Sequence, residues 1–144
     1  MKDLKYLIFI IVIIGLSVAL DWYNDYNLPQ YGANVVHVHD GDSFTANIKF
    51  GDGDVRRERV RVRNIDAPEI EGACAFETQK AQQSKKALSE LILRTQVMLK
   101  DIGTDKYERT LAIVTTDDGI NVADALIQSR DVRVYRGYKE SWCK

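Results

Sequence analysis

The sequence predicts an α+β domain that is mainly β and closes into a small barrel. Five short segments alternate apolar with polar residues, which is the pattern of half-buried strands. One longer segment, after the third strand, has its apolar residues at helical spacing and contains neither Gly nor Pro. The chain has 144 residues, which is enough for one core of this kind but not comfortably for two.

The first three strands are predicted to form a meander. Residues 35–40 read as a short strand, and residues 43–50 alternate so that their apolar side chains share one face. The sequence GDGD at 51–54 predicts a turn. Residues 55–65 alternate valine with arginine over their second half, which places the arginines on the face opposite the core.

The rest of the chain supplies two helices and further strands. Residues 75–94 predict a helix, and residues 96–102 and 110–116 predict two strands. Residues 121–128 predict a short second helix, and residues 132–135 a last short strand. A three-stranded meander, a helix and two more strands is the element order of a five-stranded OB-fold barrel, here with two or three helices.

The N-terminus differs from the rest of the chain. Residues 6–20 carry no charge and follow Lys2 and Lys5. This apolar run is shorter than the roughly 20 residues that span a bilayer, and Ser17-Val18-Ala19 resembles a small-residue cleavage site. Residues 1–20 are therefore predicted to be a signal peptide. An uncleaved N-terminal membrane anchor is the alternative, since Trp22 just beyond would suit a membrane interface.

Under either interpretation, signal peptide or anchor, the domain is exported. Residues 21–33 are polar and turn-rich and are predicted to be a linker, and residues 34–144 are predicted to be the domain. The domain would be secreted or periplasmic after cleavage, or held at a membrane through residues 6–20. Cys74 and Cys143 fit an oxidising compartment, where they can pair, although two free thiols remain the alternative.

Acidic side chains lie at turns that the predicted meander brings together. Asp40 and Asp42 precede the second strand, and Asp66 and Glu69 follow the third. A hairpin through 51–54 places these strand ends at one edge. Carboxylate and carbonyl oxygens are the ligands of hard cations such as calcium. Acidic residues are also common in turns without any ligand.

Two arginines suit phosphate recognition. The planar guanidinium groups of Arg61 and Arg109 can each donate two parallel hydrogen bonds to a phosphate. Taken alone, each is better explained as a solvated surface charge. The net charge of −1 and pI near 6.1 exclude nucleic-acid binding through the overall field. A local basic surface or a bound cation would be needed.

Three stretches resemble the motif blocks of staphylococcal-nuclease-like (thermonuclease) domains of the exported bacterial type. They are HDGDSF (39–44), RVRNIDAPE (61–69) and TDKYERTLA (104–112), and the resemblance covers roughly residues 34–136. It implies an OB-type barrel with helices and calcium-dependent hydrolysis of phosphodiester bonds in DNA and RNA, which leaves 3′-phosphate ends. A cysteine near the helix and "WC" at the end also look similar to exported members, which supports the disulfide.

The resemblance assigns metal and catalytic roles residue by residue. Asp42 and Asp66 match calcium carboxylates, and Ala67 matches the position whose backbone carbonyl binds the metal. Asp40 matches an acidic neighbour of the metal. Glu69 matches the proposed general base.

The remaining matched positions concern the substrate. Arg61 and Arg109 match the two phosphate-binding arginines, and Lys106 and Tyr107 match residues near the nucleotide. Glu108 departs from the pattern, because glycine is usual there. The expected substrate is DNA and RNA, preferably single-stranded, and the expected state is a monomer. The alternatives are a catalytically impaired OB-fold module that binds nucleic acid or protein, and a membrane-anchored envelope protein whose domain serves interaction.

Overall fold

A computed structural model describes residues 2–26 and 28–143 of the chain. An N-terminal helix precedes a barrel of five strands, two further helices and a two-stranded ladder. In chain order the elements are α1 (Lys2–Tyr26), β1 (Tyr31–Val38), β2 (Ser43–Lys49), β3 (Val55–Val62), β4 (Ile65–Asp66), α2 (Ala75–Ile92), β5 (Gln96–Thr104), β6 (Thr110–Thr116), α3 (Val122–Gln128) and β7 (Arg133–Val134).

The barrel closes in the order β1-β2-β3-β6-β5. Its neighbours pair antiparallel except β3 and β6, which run parallel, and β1 pairs with β5 to complete the ring. Closure leaves no open sheet edge in the ring. The predicted mainly β fold with a five-stranded OB-type barrel is confirmed.

Two strand boundaries differ from the prediction, each for a local reason. The predicted strand 55–65 is split, because Asn64 adopts a positive φ of 66° and turns the chain between β3 and β4. β1 begins at Tyr31 instead of residue 35, and a bulge between Val35 and His37 shifts its register. A bulge interrupts the period-2 pattern from which a strand is read.

The core fills the barrel and extends under α2 and α3. Inward positions of β2 and β3, including Phe44, Ile48 and Val60, are fully buried. Leu88 from α2 and Leu126 from α3 are buried in the same cluster. Each such side chain contributes about 1.5–3 kcal/mol through its burial. This packing fixes the strand ends that carry the acidic and basic residues.

The apolar side chains described in helix α1 are not buried in the core. Each large apolar side chain described between Tyr6 and Leu20 is at least half exposed. The helix continues through Tyr26 and β1 begins at Tyr31. Most of the predicted linker, residues 21–33, therefore belongs to α1 or β1. The side chain of Trp22 lies outside the described part. None of the helices, as far as they are described, has the length and apolar character needed to cross a membrane.

A disulfide joins Cys74 to Cys143 across a sequence separation of 69 residues. Cys74 is the residue that precedes α2, and Cys143 lies near the end of the chain. The bond therefore holds the C-terminal segment against the start of α2.

We expect loss of this disulfide to lower the free energy of unfolding. On the chain-entropy model, a loop of 69 residues corresponds to about 4 kcal/mol. Denaturant unfolding should show this difference between the wild type and a variant carrying both Cys74→Ser and Cys143→Ser. With a reducing agent present, the two curves should coincide. Equal stability under oxidising conditions would contradict the expected contribution.

Candidate active-site groove

One groove brings together residues from all three sequence motifs. It has a volume of about 1140 Å³, and the segment after β7 forms part of its wall. Its charged and aromatic lining residues are Asp40, Asp42, Arg59, Arg61, Arg63, Glu69, Asp105, Lys106, Tyr107, Glu108, Arg109, Tyr135, Tyr138 and Lys139. Ala67 lines it as well, whereas Asp66 does not.

Asp42 is the buried centre of the groove. Its backbone carbonyl accepts a hydrogen bond from the Val62 amide at 2.9 Å, and its Oδ2 accepts one from the Ala67 amide at 3.0 Å. Arg61 forms an ion pair with the same carboxylate oxygen. These contacts join the turn before β2 to both sides of the β3–β4 corner.

The electrostatics of this pair fit a site that binds further charged groups. Burial raises the pKa of Asp42 to about 6, although the Arg61 guanidinium opposes the shift. Arg61 donates from Nη2 to the Ile65 carbonyl at 3.0 Å. Its Nη1 is buried against the Asp42 carboxylate, with which it forms the ion pair. A cation would stabilise the ionised Asp42 and release the Arg61 guanidinium to bind a phosphate oxygen.

Asp40 stabilises the tight turn that presents Asp42. Its carboxylate accepts hydrogen bonds from the Asp42 amide at 3.0 Å and the Ser43 hydroxyl at 2.8 Å. Burial alone would raise the pKa of Asp40, but these hydrogen bonds outweigh it and hold the pKa below its usual value. Gly41 lets the turn approach the corner closely, because a Cβ there would lie 2.9 Å from the Cβ of Ala67.

The Asp66 carboxylate turns to an arginine from β7. Asp66 is 3% exposed, and its Oδ2 accepts hydrogen bonds from Nε and Nη2 of Arg133 at 3.1 and 3.0 Å. Arg133 also donates to the backbone carbonyls of Glu140 and Ser141, and it lies 4.1 Å from the ring centroid of Trp142. Arg133 thus connects Asp66 to the C-terminal segment.

Glu69 stands at the mouth of the groove. Its side chain is 55% exposed and forms an ion pair with Lys139 from the C-terminal segment. The buried Glu77 in the first turn of α2 accepts hydrogen bonds from the amides of Glu69 at 3.3 Å and Ala73 at 2.9 Å. Glu77 therefore fixes the short loop that carries Glu69.

The opposite wall is the loop between β5 and β6. Asp105 accepts hydrogen bonds from the amides of Tyr107 and Arg109 at 2.8 and 3.0 Å, and from Arg109 Nε at 2.7 Å. Burial acts to raise the pKa of Asp105, but these bonds hold it below its usual value. The cations of Lys106 and Arg109 lie 4.9 and 5.4 Å from the Tyr107 ring centroid. Glu108 takes a positive φ of 61°, the conformation that glycine adopts readily.

Three of the four candidate acidic residues form an ion pair at close range, each with a different basic residue. Asp42 pairs with Arg61, Asp66 with Arg133 and Glu69 with Lys139. Within the described ranges, the groove carboxylates do not form a trio within ligating distance of one another. The oxygen donors are of the type that a hard cation selects. These residues fit such a cation, which would compete with the basic partners for the carboxylates.

Comparison with known proteins identifies the family of the chain. The family model described as "Staphylococcal nuclease homologue" matches residues 59–143, which is more than half of the chain. The chain belongs to this family. The match includes Arg61, Asp66, Glu69 and Arg109, while Asp42 precedes it. Nucleases of the staphylococcal nuclease family are generally metal-dependent.

A relative from Haemophilus influenzae (strain ATCC 51907 / DSM 11121 / KW20 / Rd) is named "Uncharacterized endonuclease". It is 41% identical over 80 residues, which make up 56% of this chain. The aligned region spans 39% of that relative's length. This chain therefore covers only about two fifths of the relative's length.

Four residues that hold the candidate site residues in place were not predicted from the sequence. Lys139 reaches the groove from the C-terminal segment, whereas Arg133 of β7 holds Asp66, which does not line the groove. No spacing rule connects either basic residue to its acidic partner. Glu77 looks like an ordinary first-turn acid of a helix. Of the four residues, Asp105 was the easiest to predict from the sequence, since it lies four residues before Arg109 in a polar loop.

We expect Arg133→Ala to destabilise the domain by about 3 kcal/mol, because removing one partner leaves the buried Asp66 charge uncompensated. Denaturant unfolding measures the effect. Adding Asp66→Asn to this variant should restore part of the loss, because the second substitution removes the buried charge. A single variant as stable as the wild type would show that the pair contributes nothing.

Proposed function

We propose that this chain is a calcium-dependent endonuclease that hydrolyses phosphodiester bonds of DNA and RNA and leaves 3′-phosphate ends. The observation that carries the proposal is the groove itself. It combines the buried carboxylate of Asp42, the exposed carboxylate of Glu69 and the guanidinium groups of Arg61 and Arg109. Membership of the nuclease family and an endonuclease-named relative support it.

The two arginines bind and stabilise the reacting phosphate. The Arg61 guanidinium lines the groove beside Asp42, and a phosphate oxygen bound there would accept a hydrogen bond from it. Arg109 is held by Asp105 in the facing loop, so its position is fixed before substrate arrives. Charge that grows on the phosphate oxygens in the transition state is stabilised most by donors already in place.

Glu69 acts on the attacking water. Its carboxylate is exposed at the groove mouth and can accept a proton from water placed beside the phosphate. Lys139 is its only described ion-pair partner, and this lysine is itself 63% exposed. An exposed pair of this kind is weak, so substrate binding can separate it.

The metal would be held by Asp42, Asp66 and the backbone carbonyl of Ala67, with Asp40 beside them. A bound calcium ion neutralises charge on the phosphate oxygens and orients water. Both Arg133 hydrogen bonds fall on Oδ2 of Asp66, so Oδ1 has no hydrogen bond to any described residue. Arg133 therefore fixes the carboxylate while one oxygen stays available.

The substrate is proposed to be preferentially single-stranded. Three tyrosines in the groove wall, Tyr107, Tyr135 and Tyr138, are 66%, 43% and 58% exposed. Exposed aromatic rings beside cations stack unpaired bases of any sequence. The enzyme is expected to act as a monomer.

A second candidate function is a binding module without catalysis. The observation that favours it is the set of basic partners on the three acidic candidates. If the cation cannot displace them, the groove binds nucleic acid through Lys106, Arg109 and the tyrosines alone. The two candidate functions differ in whether the bound nucleic acid is cleaved.

We expect Glu69→Gln to reduce cleavage of single-stranded DNA by about 10²–10⁴-fold. The measurement is release of labelled fragments by the full chain, with calcium and then with EGTA. Glu71→Gln is the matched control, because Glu71 is an exposed acid of the same loop that does not line the groove. A folded, calcium-loaded wild type that binds DNA without cleaving it would establish the binding module instead.

We further propose that residues 1–20 direct export of the domain. The exposed apolar side chains of residues 6–20 and the Cys74–Cys143 disulfide support this. Cell fractionation followed by intact mass analysis tests it. A product lacking about the first 20 residues indicates a cleaved signal, and a full-length product in the membrane fraction indicates an anchor. Recovery of the protein only from the cytosol contradicts export.

A further inference from the structure

A row of basic side chains leads away from the groove along the outer face of the barrel. Val60 and Val62 of β3 point into the core, so the alternate residues Arg57, Arg59 and Arg61 point outward. The register pairs these three arginines with small polar residues on β2, namely Asn47, Thr45 and Ser43. Arg61 is thus one end of a row, and Arg57 and Arg59 form what we call the outer arginine pair.

The outer arginine pair carries charge that the protein leaves largely uncompensated. Arg57 is exposed and has no hydrogen bond or ion pair with any residue the structure describes. Arg59 is 49% exposed and reaches only the Ser43 hydroxyl at 3.4 Å and the Asp40 carboxylate at 3.9 Å. Lys49, at the far end of the same face, is exposed as well.

Two neighbouring arginines, Arg56 and Arg63, differ from the outer arginine pair because each is held by acidic or carbonyl groups of the protein. Arg56 points to the inner side of β3, forms ion pairs with Asp52 and Asp54 and lies 4.6 Å from the Phe50 ring centroid. Arg63 is held by the Asp101 carboxylate and carbonyl. A strand whose arginines served only as solvated charges would not separate them in this way.

The geometry of the row matches an extended phosphate backbone. Alternate residues of a strand lie about 6.6–6.8 Å apart, so the backbone positions of the three arginines repeat at that interval, beginning at the groove. Arg59 lines the groove and Arg57 lies beyond it. Because the chain has a net charge of −1, its overall field does not attract a polyanion, and a local row of basic side chains supplies such attraction.

We propose that the outer arginine pair is a phosphate-binding subsite for the nucleotides that flank the scissile phosphate. The ligand is the sugar-phosphate backbone of single-stranded nucleic acid, and the inference rests on the proposed function. The subsite reads no bases, because its contacts are to phosphate alone. It favours longer strands over dinucleotides and weakens as salt concentration rises.

The test measures binding separately from cleavage. Fluorescence anisotropy follows a labelled oligodeoxythymidylate binding to the full chain with Glu69→Gln, across a series of salt concentrations. With Arg57→Ala and Arg59→Ala added, we expect affinity to fall about tenfold and the salt slope to become shallower by about 1.4, or 0.7 for each lost phosphate contact. Arg56→Ala is the matched control. It removes one positive charge from the same strand, whereas the outer-pair variant removes two, and it should leave the slope unchanged.

The outcomes separate this inference from the proposed function. If the outer-pair variant matches the Arg56→Ala control in affinity and slope, the subsite is overturned even though the wild type cleaves DNA. If the variant loses binding to vesicles of anionic phospholipid while oligonucleotide binding is unchanged, the row is a membrane contact and the inference is also overturned.

Cleavage kinetics supply the second arm. In the form that retains Glu69, loss of the outer pair should raise KM for the oligonucleotide more than KM for a dinucleotide. An equal effect on both substrates would contradict a flanking subsite. If the wild type cleaves neither substrate, the proposed function fails, while the anisotropy result still decides the subsite.

Discussion

The whole groove depends on the burial of the Asp42 carboxylate at the corner between β3 and β4. Its carbonyl accepts from Val62, its carboxylate accepts from Ala67, and Arg61 neutralises it. A buried carboxylate is costly unless it is hydrogen-bonded and paired. These contacts satisfy that requirement, and they also fix the backbone that presents the carbonyl of Ala67. The same residue thus stabilises the corner and concentrates negative charge in the groove.

The pairing of each acidic side chain with a basic one explains how such a site can fold before any ligand binds. Clustered carboxylates repel one another strongly in a medium of low dielectric constant. Arg61, Arg133 and Lys139 reduce that repulsion, and each approaches from a different element. The three pairs differ in solvent exposure. The Arg61–Asp42 pair is the most buried, and the Lys139–Glu69 pair is the most exposed. The groove therefore has a buried ion pair at its base and an exposed ion pair at its mouth.

The sequence predicted those features that depend on local chain properties. Alternating residues in β2 and β3 and helical spacing in α2 follow from side-chain geometry, so the barrel and its helices were predictable. The bulge in β1 and the left-handed Asn64 were not, because tertiary pairing decides them. The motifs predicted that Asp42, Glu69 and Arg109 belong to one site, and the structure places all three in the lining of one groove. The motifs missed Arg133, because a contact 67 residues apart in sequence is set by how the C-terminal segment packs.

The parallel pairing of β3 with β6 has a consequence for the order in which the protein folds. The β1–β3 meander can form from neighbouring segments, but β3 meets β6 only through pairs such as Val60 with Thr110. Contacts so distant in sequence form slowly, since a long loop must close first. Arg61 lies on the meander and Arg109 on the loop before β6. A partly folded chain therefore carries the two arginines on separate units, and the groove first exists when the barrel closes.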